Sequence, residues 1–294
     1  MIVESDIQSL VDLFARRKVS LYHACQFIDF ESYLQLQGIP SRALLTRSDL
    51  QFTSFETDSS DKGKGVWDKV FLNLEDFGSA FALGRAAVPN PYGPILLRLG
   101  PSALREASDI AICLRSAGAD DFDRNAESLP NTTEVDRLFR HPIGHSYPAD
   151  LKHQAEIREA FGDPRARNPE ISCTTDNGLI SISHVNAAIV DDYIIDNSSF
   201  VGTVGRAREE SGIKFPVWKR RNYKAGRENL LNEIAQILLK SESTGSLMEL
   251  IRSDGSSDEI KEWAGQVQLR NLDWQYDRFA DYLLRGSLLP LYWD

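Results

Sequence analysis

The stretch 21–47, LYHACQFIDFESYLQLQGIPSRALLTR, constrains the fold more than any other part of the chain. It begins with LYH, which predicts the end of a short β-strand, and continues with apolar residues every three or four positions, which predict a helix. Gly38 is expected to end that helix, because only glycine adopts the left-handed C-cap conformation without a steric penalty. Pro40 then prevents the helix from continuing. Such a unit would carry His23 and Arg42 to one rim, where each could serve as scaffold or as ligand.

Composition limits the class of protein. The 294 residues suffice for one large domain or a domain with an appendage, and 42% hydrophobic with 26% charged residues is typical of a globular chain. No apolar run approaches the ~20 residues needed to span a bilayer, and the N-terminal residues lack the basic and apolar regions of a signal peptide. The three cysteines, Cys25, Cys113 and Cys173, are widely spaced and predict neither a disulfide framework nor a zinc motif. We therefore expect a soluble, cytoplasmic protein.

The rest of the first two thirds predicts short strands with intervening helices. Residues 5–17 form an amphipathic pattern capped by Ser5 or Asp6, and 52–65 is typical of a mobile loop. The expected strands are 67–74, 95–99, 110–114, 170–173, 178–183, 185–190 and 193–195. The expected helices are 75–85, 132–139 (capped by Thr132 or Thr133) and 149–161, with a helical turn beginning at Pro101. This arrangement predicts an α+β fold, a mixed sheet core with flanking helices.

The pattern changes near the C-terminus. From about residue 227 onward only helical periodicity remains, interrupted by Gly/Ser-rich breaks at 243–246 and 253–257. We therefore predict a core domain over 1–205 and a helical C-terminal subdomain over 206–294.

Charge makes a general nucleic-acid coat improbable but leaves room for a local groove. The formal net charge is −10, whereas phosphate neutralisation needs an excess of Lys and Arg at the contact. The segment 216–227, PVWKRRNYKAGR, is basic, has no acidic residue and contains two aromatic rings. Cations for the backbone and rings for the bases are the means by which single strands are bound, although a solvated helix entry has the same composition. The candidate nucleic-acid-binding residues are Trp218, Lys219, Arg220, Arg221 and Tyr223.

Motifs for several common chemistries are absent from the sequence. There is no GxxxxGK[ST] phosphate loop, no GxGxxG dinucleotide fingerprint and no GxSxG nucleophile elbow. His141, His145, His153 and Glu156 could be metal ligands, but Pro142 prevents the first two from sharing a helix face. His153 and Glu156 are spaced as an ordinary surface pair, so no metal is expected.

Glu170 is the carboxylate with the most informative position. It begins an apolar strand directly after a proline, which predicts a side chain at a sheet edge rather than inside the sheet. A carboxylate at such a rim can stabilise a developing cation, such as an oxocarbenium ion at a ribose, or deprotonate a nucleophile. A capping role would produce the same pattern.

These features together resemble the DarT family of ADP-ribosyltransferases, which use NAD to modify bases in single-stranded DNA. The similarity covers roughly residues 19–196 and lies in the order and spacing of elements. Tyr22-His23 and the GIPSR turn resemble the family's opening strand, helix and turn. The matching later segments are VFLNLEDFGSAF (70–81), PILLRLGPSAL (94–104), DIAICLRSAGADDF (109–122), NPEISC (168–173) and GLISISHVNAAIV (178–190).

The resemblance implies roles for particular residues. It assigns the catalytic glutamate to Glu170, with Glu156 as the competing assignment because QAEI (154–157) resembles the family's Ala-Glu strand motif. NAD would be the substrate, lying against the first strand, with His23 near the ribose or diphosphate and Arg42 near the adenylate end. The implied cofactor-binding residues are Tyr22, His23, Ser41 and Arg42.

The sequence departs from the family at the mobile loop, where the family carries an arginine. Here the comparable residues are SSDKGK, so Lys62 or Lys64 could substitute, although lysine cannot reproduce a bidentate contact. Arg47 is the alternative catalytic donor. The resemblance implies a toxin or phage-defence effector, with single-stranded DNA as acceptor and an antitoxin or immunity protein as a partner. Two other classes stay open: a catalytically silent fold that binds nucleic acid or protein, and a metal-dependent hydrolase.

Overall fold

A computed structural model describes residues 1–53, 58–76, 93–117, 119, 121–143, 150–191, 194–195 and 198–220. The strands are β1 (Ile2–Val3), β2 (Leu21–Cys25), β3 (Gly38–Pro40), β4 (Val70–Asn73), β5 (Ile95–Leu99), β6 (Ala107–Cys113), β7 (Glu170–Thr175), β8 (Leu179–Ser181), β9 (Val185–Asp191), β10 (Ile194–Ile195), β11 (Ser198–Ser199) and β12 (Val217–Arg220). The α-helices are α1 (Glu4–Arg16), α2 (Phe27–Leu36), α3 (Arg42–Arg47), α4 (Asp58–Gly63), α5 (Arg124–Glu127), α6 (Thr132–Asp136), α7 (Gln154–Phe161) and α8 (Phe200–Glu210).

Most of these strands belong to one sheet. Within the described ranges, eight strands pair in the order β1-β6-β7-β4-β2-β5-β9-β12, antiparallel except for the β9/β12 pair. β3 pairs with β8, and β10 pairs with β11, in two small ribbons. The predicted mixed α+β class is therefore correct for the described part of the chain. None of its helices is long and apolar enough to cross a membrane.

The two faces of the sheet have different surroundings. Ile110 and Ile112 of β6 lie opposite Cys173 and Ile171 of β7, and all four are buried in the main core together with Phe14 of α1. Burying one such side chain contributes about 1.5–3 kcal/mol. We call this side of the sheet the core face.

The opposite side of the sheet is called the Glu170 face. Because side chains alternate along a strand, Ala111 and Cys113 point to this side, where a second, smaller cluster forms. Val66, Ala117 and Phe122 complete that cluster. The Glu170 face therefore has an apolar cover over β6.

The end of α2 differs from the prediction in an instructive way. Gln37, not Gly38, takes the left-handed C-cap conformation, with φ 53° and ψ 34°. Gly38 instead begins β3, where an added Cβ would lie 2.7 Å from Leu179 Cδ1 and 2.9 Å from the Ile180 carbonyl oxygen. Glycine is needed there because β8 packs closely against it. This contact joins residues that are distant in the chain, so the local sequence pattern could not predict it.

Several other local predictions were wrong. Residues 58–63 form the helix α4, not part of a loop, and Ser5 and Asp6 do not cap α1, whose N-cap is Val3. The cap of α6 is Asn131, which accepts a hydrogen bond from the Glu134 amide, in place of Thr132 or Thr133. The predicted helix 75–85 lies largely outside the described residues.

The predicted domain boundary at residue 205 falls inside α8. After that helix, β12 adds to the edge of the main sheet next to β9. The sheet thus extends to Arg220. Residues 221–294 lie outside the described residues, so the helical C-terminal subdomain stays a prediction.

Candidate active site

Glu170 occupies the first position of β7, between two neighbouring strands. Its register partners are Asn73 of β4 and Cys113 of β6, so the residue lies inside the sheet, not at the edge that the sequence predicted. Glu170 Oε1 accepts a hydrogen bond from the Ala117 amide at 2.9 Å, and Oε2 accepts one from Ser116 Oγ at 3.1 Å. Both donors follow β6 directly. The end of one strand therefore holds the carboxylate at the start of the next.

The electrostatics of this carboxyl suit proton transfer. Burial raises the pKa of Glu170 to about 7, and the nearby Asp61 charge acts in the same direction. The Ala117 amide and the Ser116 hydroxyl favour the charged form and oppose that rise in the pKa. A carboxyl group with a pKa near neutrality can be either ionised or protonated near pH 7, which suits a general base or acid.

One row of side chains crosses the Glu170 face. Glu170 pairs with Asn73, Asn73 pairs with Tyr22 of β2, and Tyr22 pairs with Arg98 of β5. Residues paired across antiparallel strands point to the same face, and neighbouring strands lie about 4.8 Å apart. Tyr22 therefore lies about 10 Å from Glu170 along the row. Burial, together with the Asp76 charge, raises the pKa of the Tyr22 hydroxyl.

His23, one residue further along β2, points to the core face. Its Nδ1 is 2.8 Å from the Phe71 carbonyl oxygen and its Nε2 is 3.0 Å from Tyr33 Oη. Because a carbonyl only accepts, Nδ1 carries the proton and Nε2 accepts from the tyrosine hydroxyl. Burial lowers the pKa of His23, and the Arg42 charge lowers it further. Both ring nitrogens are therefore committed to the protein.

Ser41 and Arg42 are likewise held by neighbouring groups. Ser41 caps α3 by accepting a hydrogen bond from the Leu44 amide at 3.2 Å. Arg42 Nη1 lies 3.5 Å from Asp29 Oδ1, and its guanidinium stacks 5.1 Å from the centre of the Phe52 ring. Arg42 lies close enough to His23 for its charge to act on the imidazole. Because His23 lies on the core face and not in the Glu170 row, the contacts of these residues with NAD stay a prediction.

Arg47, the candidate donor on α3, lies away from the carboxylate. Arg47 is exposed, and its Nη2 is 3.5 Å from where a Cβ on Gly178 would lie, in the turn that follows β7. About 16 Å separates the two ends of a six-residue strand such as β7, so Arg47 and Glu170 are at opposite ends. Lys62 stacks on Trp67, 4.4 Å from the ring centre.

Glu156, the competing carboxylate, has a structural environment. It accepts hydrogen bonds from Arg140 Nε at 2.9 Å and Nη2 at 2.7 Å, and from the His153 amide at 2.7 Å. The Arg140 guanidinium lowers the pKa of Glu156 to about 2. A permanently ionised carboxylate that closes the first turn of α7 is suited to capping and not to proton transfer.

The histidine series does not converge in the described part of the chain. His141 Nε2 is 3.4 Å from Asp150 Oδ2, whereas His153 is the N-cap of α7. His145 lies outside the described residues. Among those described, no group of three or more His, Cys, Asp or Glu side chains could hold a metal ion.

The structure describes residues 216–220 of the basic segment, and their side chains have two different environments. Arg220 is buried and ion-paired with Asp76 at 2.9 Å and with Asp191 at 3.1 Å. Its charge is therefore used inside the protein, contrary to the predicted contact with a nucleic-acid backbone. Trp218 is 42% exposed, and the Arg98 guanidinium lies 4.4 Å from its ring centre. Lys219 is exposed as well, while Arg221 and Tyr223 lie outside the described residues.

Sequence reasoning missed the groups that hold Glu170. Ser116 and Ala117 precede Glu170 by 54 and 53 residues in the chain, so no local pattern connects them with it. The available signal was the small, polar SAG turn directly after a strand, where exposed backbone amides are common. Asn73 and Arg98 could be found only once the strand register was known.

Comparison with known proteins gives a fold likeness only. No family model and no curated protein matches the sequence. Similar solved structures include Thermus sp. 2.9 DarT in complex with ADP-ribosylated ssDNA, at 12% identity, covering 69% of this chain and 94% of that chain with a TM-score of 0.41. The same protein in complex with NAD+ is 13% identical and has a TM-score of 0.41, and the match covers 69% of this chain and 95% of that chain. Its complex with carba-NAD+ is 12% identical and has a TM-score of 0.39, with 69% of this chain and 96% of that chain covered. At these values the likeness carries no argument about substrate or site residues.

Proposed function

We propose that this protein is an NAD-dependent ADP-ribosyltransferase that modifies a nucleobase in single-stranded DNA, with Glu170 as its catalytic residue. The observation that carries the proposal is the Glu170 carboxylate, held by the Ala117 amide and the Ser116 hydroxyl with a pKa of about 7. The sequence resemblance supplies the reaction class. The family's strand glutamate falls on the same residue that the site geometry favours over Glu156.

The chemistry uses the carboxylate twice. When the bond between the ribose C1′ and the nicotinamide nitrogen breaks, its electron pair leaves with nicotinamide and positive charge develops on the sugar. A carboxylate beside that carbon stabilises the cation electrostatically. A nucleophilic atom of the base then bonds to C1′, and the proton that it loses passes to Glu170. A pKa near neutrality allows the same group to be ionised first and to accept a proton afterwards.

In this proposal the nicotinamide end of NAD lies against the row of side chains on the Glu170 face. Tyr22 and Asn73 share the face and the row with Glu170, and an aromatic ring with an amide can pack and orient a ribose. In this proposal Tyr22 contacts the dinucleotide directly. His23 instead fixes β2 from the core face through Phe71 and Tyr33.

A toxin or phage-defence role follows from the proposed reaction, because base modification blocks DNA copying. An antitoxin or immunity protein would then protect the producing cell, and the reaction would take place in the cytoplasm. Expression in a bacterial host tests this: the wild-type chain should arrest growth, and Glu170→Gln should not.

One observation favours the catalytically silent alternative. The loop that carries an arginine in the DarT family reads SSDKGK here, and its two lysines contact the Trp67 ring and the Ala117 and Ala119 carbonyls. A fold that binds nucleic acid without reacting would need no cation there. Measuring NAD consumption separates the two functions, and sensitivity to a chelator would identify a metal-dependent hydrolase.

The deciding experiment is incubation with NAD and defined single-stranded oligonucleotides, with intact mass as the readout. We expect a mass increase of one ADP-ribose, and we expect Glu170→Gln to lower the transfer rate by about 10²–10³-fold, as loss of a transition-state contact typically does. Glu156→Gln is the matched control and should retain transfer. An active Glu170→Gln beside an inactive Glu156→Gln would overturn the assignment.

A further inference from the structure

Lys64 does not point to a substrate site but to the backbone beside Glu170. Its ammonium donates to the Ala117 carbonyl at 3.1 Å and to the Ala119 carbonyl at 2.6 Å. Gly65, the next residue, has φ +67°, a left-handed conformation that favours glycine and turns the chain sharply after the lysine. Charge-assisted bonds to carbonyls are stronger than neutral ones, so this contact fixes the segment that follows β6.

That segment is the one that holds the carboxylate. The Ala117 residue that accepts from Lys64 through its carbonyl donates through its amide to Glu170 Oε1 at 2.9 Å. Arg115 anchors the other side, with Nε and Nη2 at 2.5 and 2.6 Å from the Glu127 carboxylate. Lys64 and Arg115 therefore clamp the donor pair from two directions.

The segment that carries Lys64 also carries Asp61, whose charge acts on the pKa of Glu170 in the direction opposite to the hydrogen bonds from Ser116 and Ala117. Burial is the main cause of the raised pKa of Glu170, and the charge of Asp61, on the short helix α4 that leads to Lys64, acts in the same direction. On the neighbouring strand β6, within the described residues, the paired group is Cys113; burial raises its pKa to about 12, so the thiol is neutral near pH 7. On β4 the paired residue is Asn73, which does not titrate. One segment thus carries both the repelling charge and the clamp.

We propose that Lys64 is a positioning residue for Glu170: by binding the Ala117 and Ala119 carbonyls, it holds the Ala117 amide and the Ser116 hydroxyl in place on the carboxylate. We call this action of Lys64 on the Glu170 carboxylate the coupling. It rests on the proposed function only in that Glu170 is named as the catalytic residue. The family's loop cation would by analogy contact substrate, whereas here the loop lysine acts through the backbone of Ala117.

The test is a titration of the Glu170 carboxyl that needs no activity. In protein labelled with ¹³C at the glutamate side-chain carboxyl, the Glu170 signal is the one that Glu170→Gln removes. Lys64→Met keeps most of the stem but loses the clamp, so the midpoint should rise by about one pH unit, the scale of one hydrogen bond to a charged group. Asp61→Asn should lower the midpoint. Lys62→Met, which removes a charge from α4 but contacts Trp67, is the matched control and should leave the midpoint unchanged.

The outcomes separate the coupling from the enzymatic proposal. A midpoint that stays constant or falls in Lys64→Met overturns the coupling, and Lys64→Gln repeats the test should the first variant not fold. If the midpoints move as expected but the wild-type chain transfers no ADP-ribose, the coupling stands and the proposed function fails. If transfer occurs, the pH at half-maximal rate should follow the same order as the NMR midpoints.

Discussion

Replacing His23 with alanine is expected to destabilise the fold, because the imidazole bridges two parts of the protein. The ring donates to the Phe71 carbonyl of β4 and accepts from the Tyr33 hydroxyl of α2. Removing it leaves two partly buried polar groups without a partner, each costing about 1–3 kcal/mol. We therefore expect His23→Ala to lower the free energy of unfolding by about 2–4 kcal/mol at pH 8.

The pH dependence gives this prediction a sign that can be checked. Burial lowers the pKa of His23 below its usual 6.5, so the unfolded chain binds a proton more readily than the folded one. The contribution of His23 to the free energy of unfolding is therefore complete above pH 6.5. It decreases as the pH drops towards the pKa of the folded state, by at most about 1.4 kcal/mol per pH unit. His23→Ala lacks this loss. The stability difference between the two proteins should therefore shrink as the pH falls below 6.5.

Urea unfolding followed by tryptophan fluorescence, between pH 5 and 8, measures both effects. Tyr33→Phe is the graded control: it removes one of the two bonds and should cost about half as much. Equal stability of wild type and His23→Ala at every pH would refute the structural role. If that variant also needed more NAD for the same rate, the ligand role that the sequence suggested would be correct.

Two variants of β12 separate the buried and exposed parts of the basic segment. Arg220→Ala should lower the free energy of unfolding by about 3–5 kcal/mol, because it removes the buried guanidinium that pairs with the Asp191 and Asp76 carboxylates; denaturant unfolding checks this. Trp218→Ala should leave stability nearly unchanged and weaken binding to a single-stranded oligonucleotide by about 1–3 kcal/mol, the value of one base stacked on an aromatic ring. Fluorescence anisotropy at fixed salt measures it, and unchanged affinity would place the acceptor elsewhere.

Much of the sheet could be predicted because its strands are short, apolar and bounded by turns. Ile95–Leu99 is buried at four of its five positions, so its run of apolar residues was sufficient evidence for a strand. The helix after β2 was predictable from its period. The C-cap of α2 was not predictable, because Gly38 is required by its close contact with β8 and not by the end of the helix.

The position of Glu170 was partly predictable and its environment was not. The residue begins a strand, as the sequence indicated, but its pKa depends on its burial and on Ala117, Ser116 and Asp61, none of which is close to it in the chain. The environment of His23 could not be predicted for a related reason. Alternation along β2 decides which of Tyr22 and His23 faces Glu170, and only the pairing of β2 with β4 sets that alternation.

The register also relates the proposed reaction to the basic segment. Arg98 is the fourth member of the row that begins with Glu170, and its guanidinium lies on the Trp218 ring. Three strand spacings of about 4.8 Å put Arg98 about 14 Å from Glu170 on the same face. A single strand stacked on Trp218 would therefore approach the carboxylate from the side of Tyr22, and a neighbouring base could reach the ribose carbon there. Because Arg220 is already neutralised by two carboxylates, recognition at this end of the face would depend more on stacking than on charge.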